Sequence, residues 1–274
     1  MKELVLQAKN LSVGYGEKNI VEQMNLVIPQ GKISVIIGAN GCGKSTMLKA
    51  FARLLNPKEG AVMLDGKRLQ QYPTKQLARN LGLLPQSPVV PDGIRVTDLI
   101  SRGRFPYQKP FQGLSKEDFS AMQEAMEMMG VIDLAERNVD ELSGGQRQRV
   151  WIALALAQQT DILLLDEPTT YLDIAHQIEI LDALTKLNRE KNTTIVMVLH
   201  DINLSARYAD HLFAMKSGNL IAQGTPEQII RPDIMKTIYG LDCVVIKDPI
   251  TNAPMIVPCG EYHKQSAYSE SEEK

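Results

Sequence analysis

The stretch that decides the fold is Ile33-Ser34-Val35-Ile36-Ile37-Gly38-Ala39-Asn40-Gly41-Cys42-Gly43-Lys44-Ser45-Thr46. Its opening run is short and rich in branched apolar residues, which predicts a buried strand that ends at Gly38. Apolar residues then recur at helical spacing and predict a helix from Ser45 to Leu55, with an apolar face of Met47, Leu48, Phe51 and Leu54. A glycine-rich loop between a strand and a helix is the context that a phosphate-binding loop requires.

The pattern G-x-x-x-x-G-K-S in this loop predicts a nucleotide site. Glycines let backbone N–H groups turn inward around phosphate oxygens, and a helix N-terminus favours anions. We expect Lys44 to bridge the β- and γ-phosphates, Ser45 to ligate Mg²⁺ and Thr46 to reach the α-phosphate. The full set of expected nucleotide contacts in the loop is Gly38, Asn40, Gly41, Cys42, Gly43, Lys44, Ser45 and Thr46.

Two acids and a histidine follow later apolar strands. The run from Ile162 to Leu165 predicts a second buried strand, which Asp166 and Glu167 end, and Ile195–Leu199 predicts a third, followed by His200. Ligands of such sheets bind outside the carboxyl ends of the strands. We therefore expect Asp166 to hold Mg²⁺ through water, Glu167 to polarise the attacking water, and His200 to bond both the γ-phosphate and Glu167.

Composition excludes several other classes of protein. The chain has 274 residues, 44% of them hydrophobic and 23% charged, as in ordinary globular proteins. The net charge of −2 gives no basic field for nucleic acid. No apolar run reaches the length that spans a bilayer, and the N-terminus lacks the apolar region of a signal peptide. The three cysteines cannot form a fully paired disulfide framework and suit a reducing cytoplasm.

The order of patterns along the chain predicts an α/β fold with two additions. Apolar strands with helices between them indicate a mainly parallel sheet. Residues 4–28 alternate more and predict an N-terminal antiparallel β-subdomain, whereas residues of about 87–158 predict an inserted α-helical subdomain. We expect residues 1–260 to form one nucleotide-binding domain, followed by a disordered tail at 261–274.

One helix of the inserted region has two possible uses. The segment Ser115–Met129 carries a capping-box pattern and an apolar face of Phe119, Met122, Met126 and Met129. A methionine face can be a promiscuous docking surface. We favour the alternative, that this face packs inside the helical subdomain.

A second anion site is predicted at Leu142-Ser143-Gly144-Gly145-Gln146, hereafter the signature stretch. Ser143 and two glycine amides stand at the start of a helix, where an anion is favoured. One nucleotide does not need two phosphate cradles so far apart in the chain. We infer that two copies face each other head-to-tail, and that each gives Ser143, Gly144, Gly145 and Gln146 to the γ-phosphate held by its partner.

In this order, these motifs resemble the nucleotide-binding subunit of ATP-binding-cassette (ABC) transporters, over nearly the whole chain up to about Gly260. The resemblance implies an ABC ATPase fold, ATP with Mg²⁺, and two transmembrane permease subunits as partners at the cytoplasmic face of the cell membrane. It further implies that Tyr15 stacks on adenine and that Gln86 touches Mg²⁺ and the attacking water. Asp173 matches a loop that crosses the dimer interface, and His200 matches a switch histidine.

Within this family, the chain is most similar to importers of ferric siderophores, with cobalamin and haem importers nearby. The resemblance rests on 102–107, 199–210 and the ending from Lys247 to Pro258. It implies that 102–107 docks the permease, whereas the alternative for this segment is a solvated basic loop. It also implies an indirect partner, a substrate-binding lipoprotein or periplasmic protein.

Two rival interpretations remain at this point. A soluble cassette ATPase that drives no transport, such as one in iron–sulfur cluster assembly, would carry the same nucleotide motifs. A nucleotide-binding regulatory module without activity would not need Glu167 and His200.

The resemblance leaves the chemistry of Cys42 open. Because Cys42 lies in an anion cradle at a helix start, we expect a lowered pKa for its thiol and slower alkylation when ATP is bound.

Overall fold

A computed structural model of the chain describes residues 4–86, 88, 92–109, 112–170 and 172–260. The tail at 261–274, for which we predicted disorder, lies outside the described residues. Across the part of the chain that the structure describes, no helix is both long and apolar enough to cross a membrane.

The strands of the described residues form three sheets. They are β1 (Leu6–Tyr15), β2 (Lys18–Val27), β3 (Ile33–Gly38), β4 (Glu59–Leu64), β5 (Lys67–Arg68), β6 (Leu81–Leu84), β7 (Ile162–Asp166), β8 (Thr194–Val198), β9 (His211–Lys216), β10 (Asn219–Gly224), β11 (Cys243–Lys247) and β12 (Pro254–Pro258). The central sheet has the order β10-β9-β3-β8-β7-β6, the N-terminal sheet the order β2-β1-β4-β5, and β11 pairs with β12.

Helices of the described residues cover both faces of the central sheet and form a separate layer. They are α1 (Lys44–Phe51), α2 (Thr74–Asn80), α3 (Val96–Ser101), α4 (Lys116–Met128), α5 (Gly144–Ala157), α6 (Ile174–Lys191), α7 (Ile202–Tyr208), α8 (Pro226–Ile229) and α9 (Pro232–Tyr239). Short 3₁₀ turns follow α3 at Arg102–Arg104 and precede the signature stretch at Val139–Glu141.

The central sheet is parallel except for the β9–β10 pair, as the continuous apolar runs predicted. Every residue of β3, β7 and β8 is buried. Along β3, Ile33, Val35 and Ile37 pack into the core on the side of α5 and α6, whereas Ile36 faces the core shared with α1. Alternation between two cores explains why these strands are apolar at every position rather than at every second one.

The N-terminal sheet is antiparallel, which confirms the prediction for residues 4–28. Its inward side chains, including Leu11, Val13 and Val21, pack with Met47 and Phe51 of α1 in the second core. The β-subdomain therefore covers the helix that follows the phosphate loop and fixes its position.

The helix predicted at Ser115–Met129 is α4, with Ser115 as its N-cap and Met129 as its C-cap. The capping box is present, because the Asp118 N–H donates to Ser115 Oγ at 3.2 Å and the Ser115 N–H donates to Asp118 Oδ2 at 2.9 Å. Met122, Met126 and Met129 are buried in the helical layer, as the packing alternative required. Phe119 is an exception, since its residue is 55% exposed.

The first helix is shorter than predicted. It ends at Phe51 rather than Leu55, and Leu54 is exposed instead of lying on an apolar face. The physical reason is Arg53, whose backbone has φ 58° and whose guanidinium donates to the carbonyl oxygens of Leu69 and Tyr72 at 3.2 and 2.7 Å. These bonds tie the end of the helix to a distant turn.

Asp210 joins three elements at the amino edge of the central sheet. Its carboxylate accepts from the Ile33 N–H at 2.9 Å and from Arg189 at 2.9 and 3.3 Å, and its own N–H donates to the Ile33 carbonyl at 2.8 Å. Burial alone would raise the pKa of Asp210, but the bonds from Arg189 and Ile33 outweigh it and hold that pKa below its ordinary value. The ionised carboxylate therefore stabilises the start of β3.

We predict that Asp210→Asn lowers the free energy of unfolding by about 1–2 kcal/mol at pH 7. Because the native pKa lies below the unfolded value of about 3.9, this stabilisation is complete above about pH 5 and is lost as the pH falls through the native pKa. Urea unfolding between pH 3 and 7 measures the difference from the unmodified protein. Asp233→Asn, which removes an exposed partner of Arg231, is the control and should change little. A difference that grows toward acid pH would contradict the assignment.

Candidate functional site

Parallel pairing brings the predicted residues to one edge of the sheet. Ile36 stands beside Val198, and Val198 stands beside Asp166. Gly38 follows Ile36 by two residues, and His200 follows Val198 by two residues. An open cleft of ≈ 550 Å³ lies there, lined by Tyr15, Ile20, Asn40, Gly41, Gly43, Lys44, Ser45, Thr46, Gln86, Glu167, Thr170 and His200. Ten of these twelve residues were predicted from the sequence.

The phosphate loop is built as an anion cradle. Gly41 and Gly43 have φ values of 76° and 105°, which side-chain-bearing residues rarely adopt, and a Cβ on Gly41 would project into open space. Gly43 is the N-cap of α1, and no side chain caps that helix. The first amides of α1 therefore remain available to a ligand in the cleft. Lys44 Nζ donates to the carbonyl oxygens of Gly38 and Ala39 at 2.7 and 3.2 Å, so the buried ammonium is held in the loop.

Ser45 and Asp166 place two oxygen atoms, which could serve as metal ligands, side by side at the base of the cleft. Ser45 Oγ donates to Asp166 Oδ1 at 2.8 Å, although 121 positions separate the two residues. Burial raises the pKa of Asp166, the Ser45 hydrogen bond opposes that shift, and the Glu167 charge adds to it. A hydroxyl and a desolvated carboxylate side by side fit the oxygen ligands that Mg²⁺ prefers.

Glu167 is the centre of a hydrogen-bonded group. Its Oε2 accepts from Gln86 Nε2 at 2.7 Å and from Thr170 Oγ1 at 3.1 Å, and its Oε1 lies 2.7 Å from His200 Nε2. These contacts join the ends of β6, β7 and β8 through one nearly buried carboxylate. The predicted contact between His200 and Glu167 is therefore present in this structure.

The backbone at Glu167 has φ 55°, in the left-handed region that glutamate seldom occupies. Such conformations cost of order 1–3 kcal/mol and persist only where surrounding contacts hold them. Here β7 ends at Asp166, and the turn places the two consecutive carboxylates in different surroundings. Asp166 faces Ser45, and Glu167 faces Gln86 and His200.

Two groups of predicted residues lie outside this cleft of the same chain. The signature residues Ser143 to Gln146 form the N-cap and first turn of α5, with a capping box between Ser143 and Gln146. Asp173 is the N-cap of α6 and accepts from the His176 N–H at 2.9 Å. The signature end of α5 reaches the segment after Glu167, since Gln148 Nε2 donates to the Pro168 carbonyl at 2.8 Å.

Cys42 corrects a prediction made from the sequence. Its residue is only 5% exposed, and it does not line the cleft. Burial raises the pKa of its thiol, and the nearby Lys44 charge only partly opposes this shift. The expected lowered pKa was wrong, because the thiol points behind the loop. There its sulfur would lie 2.7 Å from a Cβ on Gly38, and the Gly218 N–H binds its carbonyl at 2.9 Å.

Sequence reasoning missed two residues that line the cleft, and a tyrosine behind it. Thr170 belongs to the Pro168-Thr169-Thr170 run directly after Asp166 and Glu167, and that proximity was the available signal. Ile20 lies on β2 and lines the cleft with Tyr15, which no local pattern indicates. Tyr239, at the end of α9, contacts the Gly38 backbone, and burial raises its pKa to about 12.

We predict that Cys42 reacts with iodoacetamide at pH 7.5 at least about tenfold more slowly than Cys259, because its thiol is buried and its pKa is raised. The rate should be equally slow with and without ATP. Peptide mass spectrometry after timed quenching measures both sites in one sample, with Cys259 as the internal control. Labelling of Cys42 as fast as that of Cys259 would contradict the burial.

Comparisons with known proteins identify the family. The protein-family model described as ABC transporter matches residues 21–170 of this chain. The chain is 50% identical over 255 residues to the probable siderophore transport system ATP-binding protein YusV of Bacillus subtilis, a match that covers 93% of each chain. It is 48% identical over 264 residues to the ferric enterobactin transport ATP-binding protein FepC of Escherichia coli, which covers 96% of this chain and 97% of that one.

A solved structure supports the same fold. An inward-facing putative metal-chelate type ABC transporter superposes with a TM-score of 0.81 at 27% identity, over 95% of this chain and 99% of the matched chain. The relatives are transport subunits, so the non-transport alternative is not favoured. The family and fold inferred from the motifs are confirmed, and this chain belongs to the ABC transporter family as one of its ATP-binding, ATP-hydrolysing subunits.

Proposed function

We propose that this chain hydrolyses ATP to drive the import of a ferric siderophore through separate membrane subunits. The observation that carries the proposal is the position of Glu167. Its carboxylate is held by Gln86 and His200 in the same cleft as Lys44 and Ser45. This arrangement provides a base for water directly opposite a phosphate cradle.

ATP fits the cleft with its phosphates on the loop. The uncapped amides of α1 and Lys44 bind the phosphate oxygens, and Thr46 reaches the α-phosphate. At the other end, Tyr15 is 51% exposed and lines the cleft beside Ile20, so its ring is free to stack on adenine. The residues of this set are those predicted from the sequence, together with Ile20 and Thr170.

Ser45, Asp166 and Gln86 are the residues that would hold Mg²⁺. The Ser45 hydroxyl and the Gln86 amide oxygen would be its neutral ligands, and Asp166 would provide negative charge, through water. When bound, the ion would supply positive charge against the phosphate oxygens.

Glu167 positions the attacking water and accepts its proton. The water oxygen forms a bond to the γ-phosphorus as the bond to the β–γ bridging oxygen breaks, which releases ADP and inorganic phosphate. His200 donates a hydrogen bond to the γ-phosphate and keeps Glu167 oriented, while Lys44 stabilises the charge on the transferring group. Gln86 and Thr170 restrain the carboxylate against rotation.

A second copy of the chain completes each site. Ser143, Gly144, Gly145 and Gln146 lie outside the cleft of their own chain, and their helix begins with an exposed Gly144 and a partly buried Gly145. In a head-to-tail dimer this helix start faces the γ-phosphate of the partner's ATP. Asp173, which begins α6 after the catalytic segment, crosses the interface between the two copies.

The membrane partners bind at the loop 102–107. This loop is not the solvated basic loop of the alternative reading, because Arg104 is buried while Phe105 is 73% exposed. Exposed aromatic residues are typical interface anchors. We propose that two permease subunits bind the ATPase through this loop, at the cytoplasmic face of the membrane. A substrate-binding lipoprotein or periplasmic protein is the indirect partner. We propose that residues 1–260 act as one nucleotide-binding domain, into which the helical region of about 87–158 is inserted.

The cargo follows from the relatives. One is named for siderophore transport and another for ferric enterobactin transport, and each match extends over more than nine tenths of both chains. We therefore propose a ferric siderophore as the cargo. The chain itself does not touch it, because the cargo crosses the membrane in the permease.

We predict that Glu167→Gln lowers ATP hydrolysis by about 10²–10⁴-fold, because the amide cannot accept the proton of the attacking water. ATP binding should persist, and the variant should accumulate as an ATP-bound dimer on size-exclusion chromatography. Glu179→Gln removes an exposed carboxylate that pairs with Arg149, and is the control for loss of one charge. Near-normal phosphate release by Glu167→Gln would refute the assigned base.

We predict that Phe105→Ala weakens co-purification of the permease and lowers uptake of ⁵⁵Fe-labelled siderophore by at least about tenfold, as expected for loss of an aromatic interface anchor. Phe119→Ala, which removes another exposed aromatic ring, from α4, should leave both unchanged. Ferric enterobactin and a ferric hydroxamate are supplied separately to identify the chelate class. Uptake that is unaffected by Phe105→Ala would place the permease elsewhere.

A further inference from the structure

We propose that Gly103, Arg104 and Tyr107 form a clamp on the carboxyl end of α5, through which the loop 102–107 sets the position of the signature residues. This inference rests on the proposed function of that loop and of the signature stretch. It makes the three clamp residues positioning residues, since none of them lines the nucleotide cleft.

Three separate contacts fasten the loop to the last turn of α5. The Arg104 Nη1 donates to the Ala157 carbonyl at 2.7 Å, and the Tyr107 hydroxyl donates to the Gln158 carbonyl at 2.8 Å. At Gly103 the backbone comes so near that a Cβ would lie 2.6 Å from the Leu154 carbonyl oxygen. Carbonyls at a helix end lack intrahelical donors, so these bonds satisfy groups that otherwise need water or a cap.

The clamp is held rigidly by a buried ion pair. Arg104 Nε donates to Asp118 Oδ1 at 2.8 Å, and both side chains are buried. The Arg104 guanidinium also lies 3.9 Å from the centre of the Tyr107 ring. The positive charge faces the carboxyl end of α5, where the helix dipole favours a cation. One guanidinium thus joins the loop, α4 and α5.

The other side of the loop 102–107 is attached to α2. The Arg79 Nε donates to the Pro106 carbonyl at 2.9 Å, and Lys75 donates to the Gln108 carbonyl. Both cations lie on α2, which leads directly into β6 and then to Gln86. The loop therefore bridges the strand that carries Gln86 and the helix that carries the signature residues.

The rigid body between the clamp and the signature is α5 itself. It spans 14 residues, or about 21 Å at the usual helical rise, and begins at the Ser143 N-cap. Val150, Ile152 and Ala153 are fully buried in the helical layer. Because a packed helix moves as one unit, a displacement of the loop at one end displaces Ser143 at the other.

The test uses matched pairs of variants in the full chain. Tyr107→Phe keeps the ring on Arg104 but removes the bond to Gln158, and its control Tyr72→Phe removes a similar 2.9 Å bond to the Leu64 carbonyl. Gly103→Ala pushes the loop away from α5, and its control Gly113→Ala places a methyl group in open space. All four are made in the Glu167→Gln background, which retains ATP in the proposed dimer.

The first measurement is ATP-dependent dimerisation by sedimentation. We expect Tyr107→Phe to weaken the dimer about threefold to tenfold, as for loss of one hydrogen bond, and Gly103→Ala to weaken it more. Binding of a fluorescent ATP analogue to the monomer should be unchanged. A purely structural role would lower the thermal stability of the clamp variants without changing dimerisation.

The second measurement does not depend on the dimer. Spin labels at Glu141→Cys, beside the signature stretch, and Glu22→Cys, on β2, report the distance between the helical layer and the central domain by pulsed EPR, with Cys259→Ser removing the accessible thiol. Clamp variants should broaden or shift this distance in the monomer, and controls should not. Identical distances and dimer constants in clamp variants and controls would overturn the clamp. Failure of Glu167→Gln to dimerise would instead refute the proposed shared site, and the distance measurement would still decide the clamp.

Discussion

The structure depends on the parallel pairing of β3, β8 and β7. Side by side in this ladder stand Ile36, Val198 and Asp166, so three distant segments end at one edge of the sheet. The phosphate loop, the two acids and His200 follow these strands directly. Because every residue of the three strands is buried, a shift in register would move apolar side chains between two different cores. The core therefore fixes the geometry of the site.

At that edge, two residues of the site adopt states that are unfavourable for stability. The strained backbone of Glu167 and the buried carboxylate of Asp166 both cost free energy, and each residue is held by polar partners from distant segments of the chain. The same partners separate the roles of two consecutive carboxylates. The Ser45 hydroxyl binds Asp166, which we propose as a metal ligand, whereas Gln86 and His200 hold Glu167, which we propose as the base for water. Loss of the surrounding packing would therefore abolish the difference between the two acids.

The helical layer carries the signature residues, which are not at the sheet edge. Its helix α5 begins after Ser143, outside the cleft of its own chain, and this position is the reason for proposing that a second copy completes the site. The other end of α5 is bound by the loop that carries the exposed Phe105. A buried arginine, rather than a solvated one, links the surface proposed for the permease to the residues proposed for the partner's ATP. Two interfaces are thus connected through one helix.

The sequence alone determined the structural features that depend on residues close together in the chain. The strand–loop–helix around Lys44, the capping box at Ser115 and the parallel sheet all follow from local spacing. Such patterns predicted eight of the twelve cleft residues, and the family resemblance added Tyr15 and Gln86. Only the tertiary structure decided the end of α1, the burial of Arg104 and the raised pKa of Cys42. Each depends on groups remote in sequence: carbonyls of Leu69 and Tyr72 for Arg53, the carboxylate of Asp118 for Arg104, and the β9–β10 turn for Cys42. Burial and hydrogen bonding are properties of these distant contacts, and local spacing does not encode them.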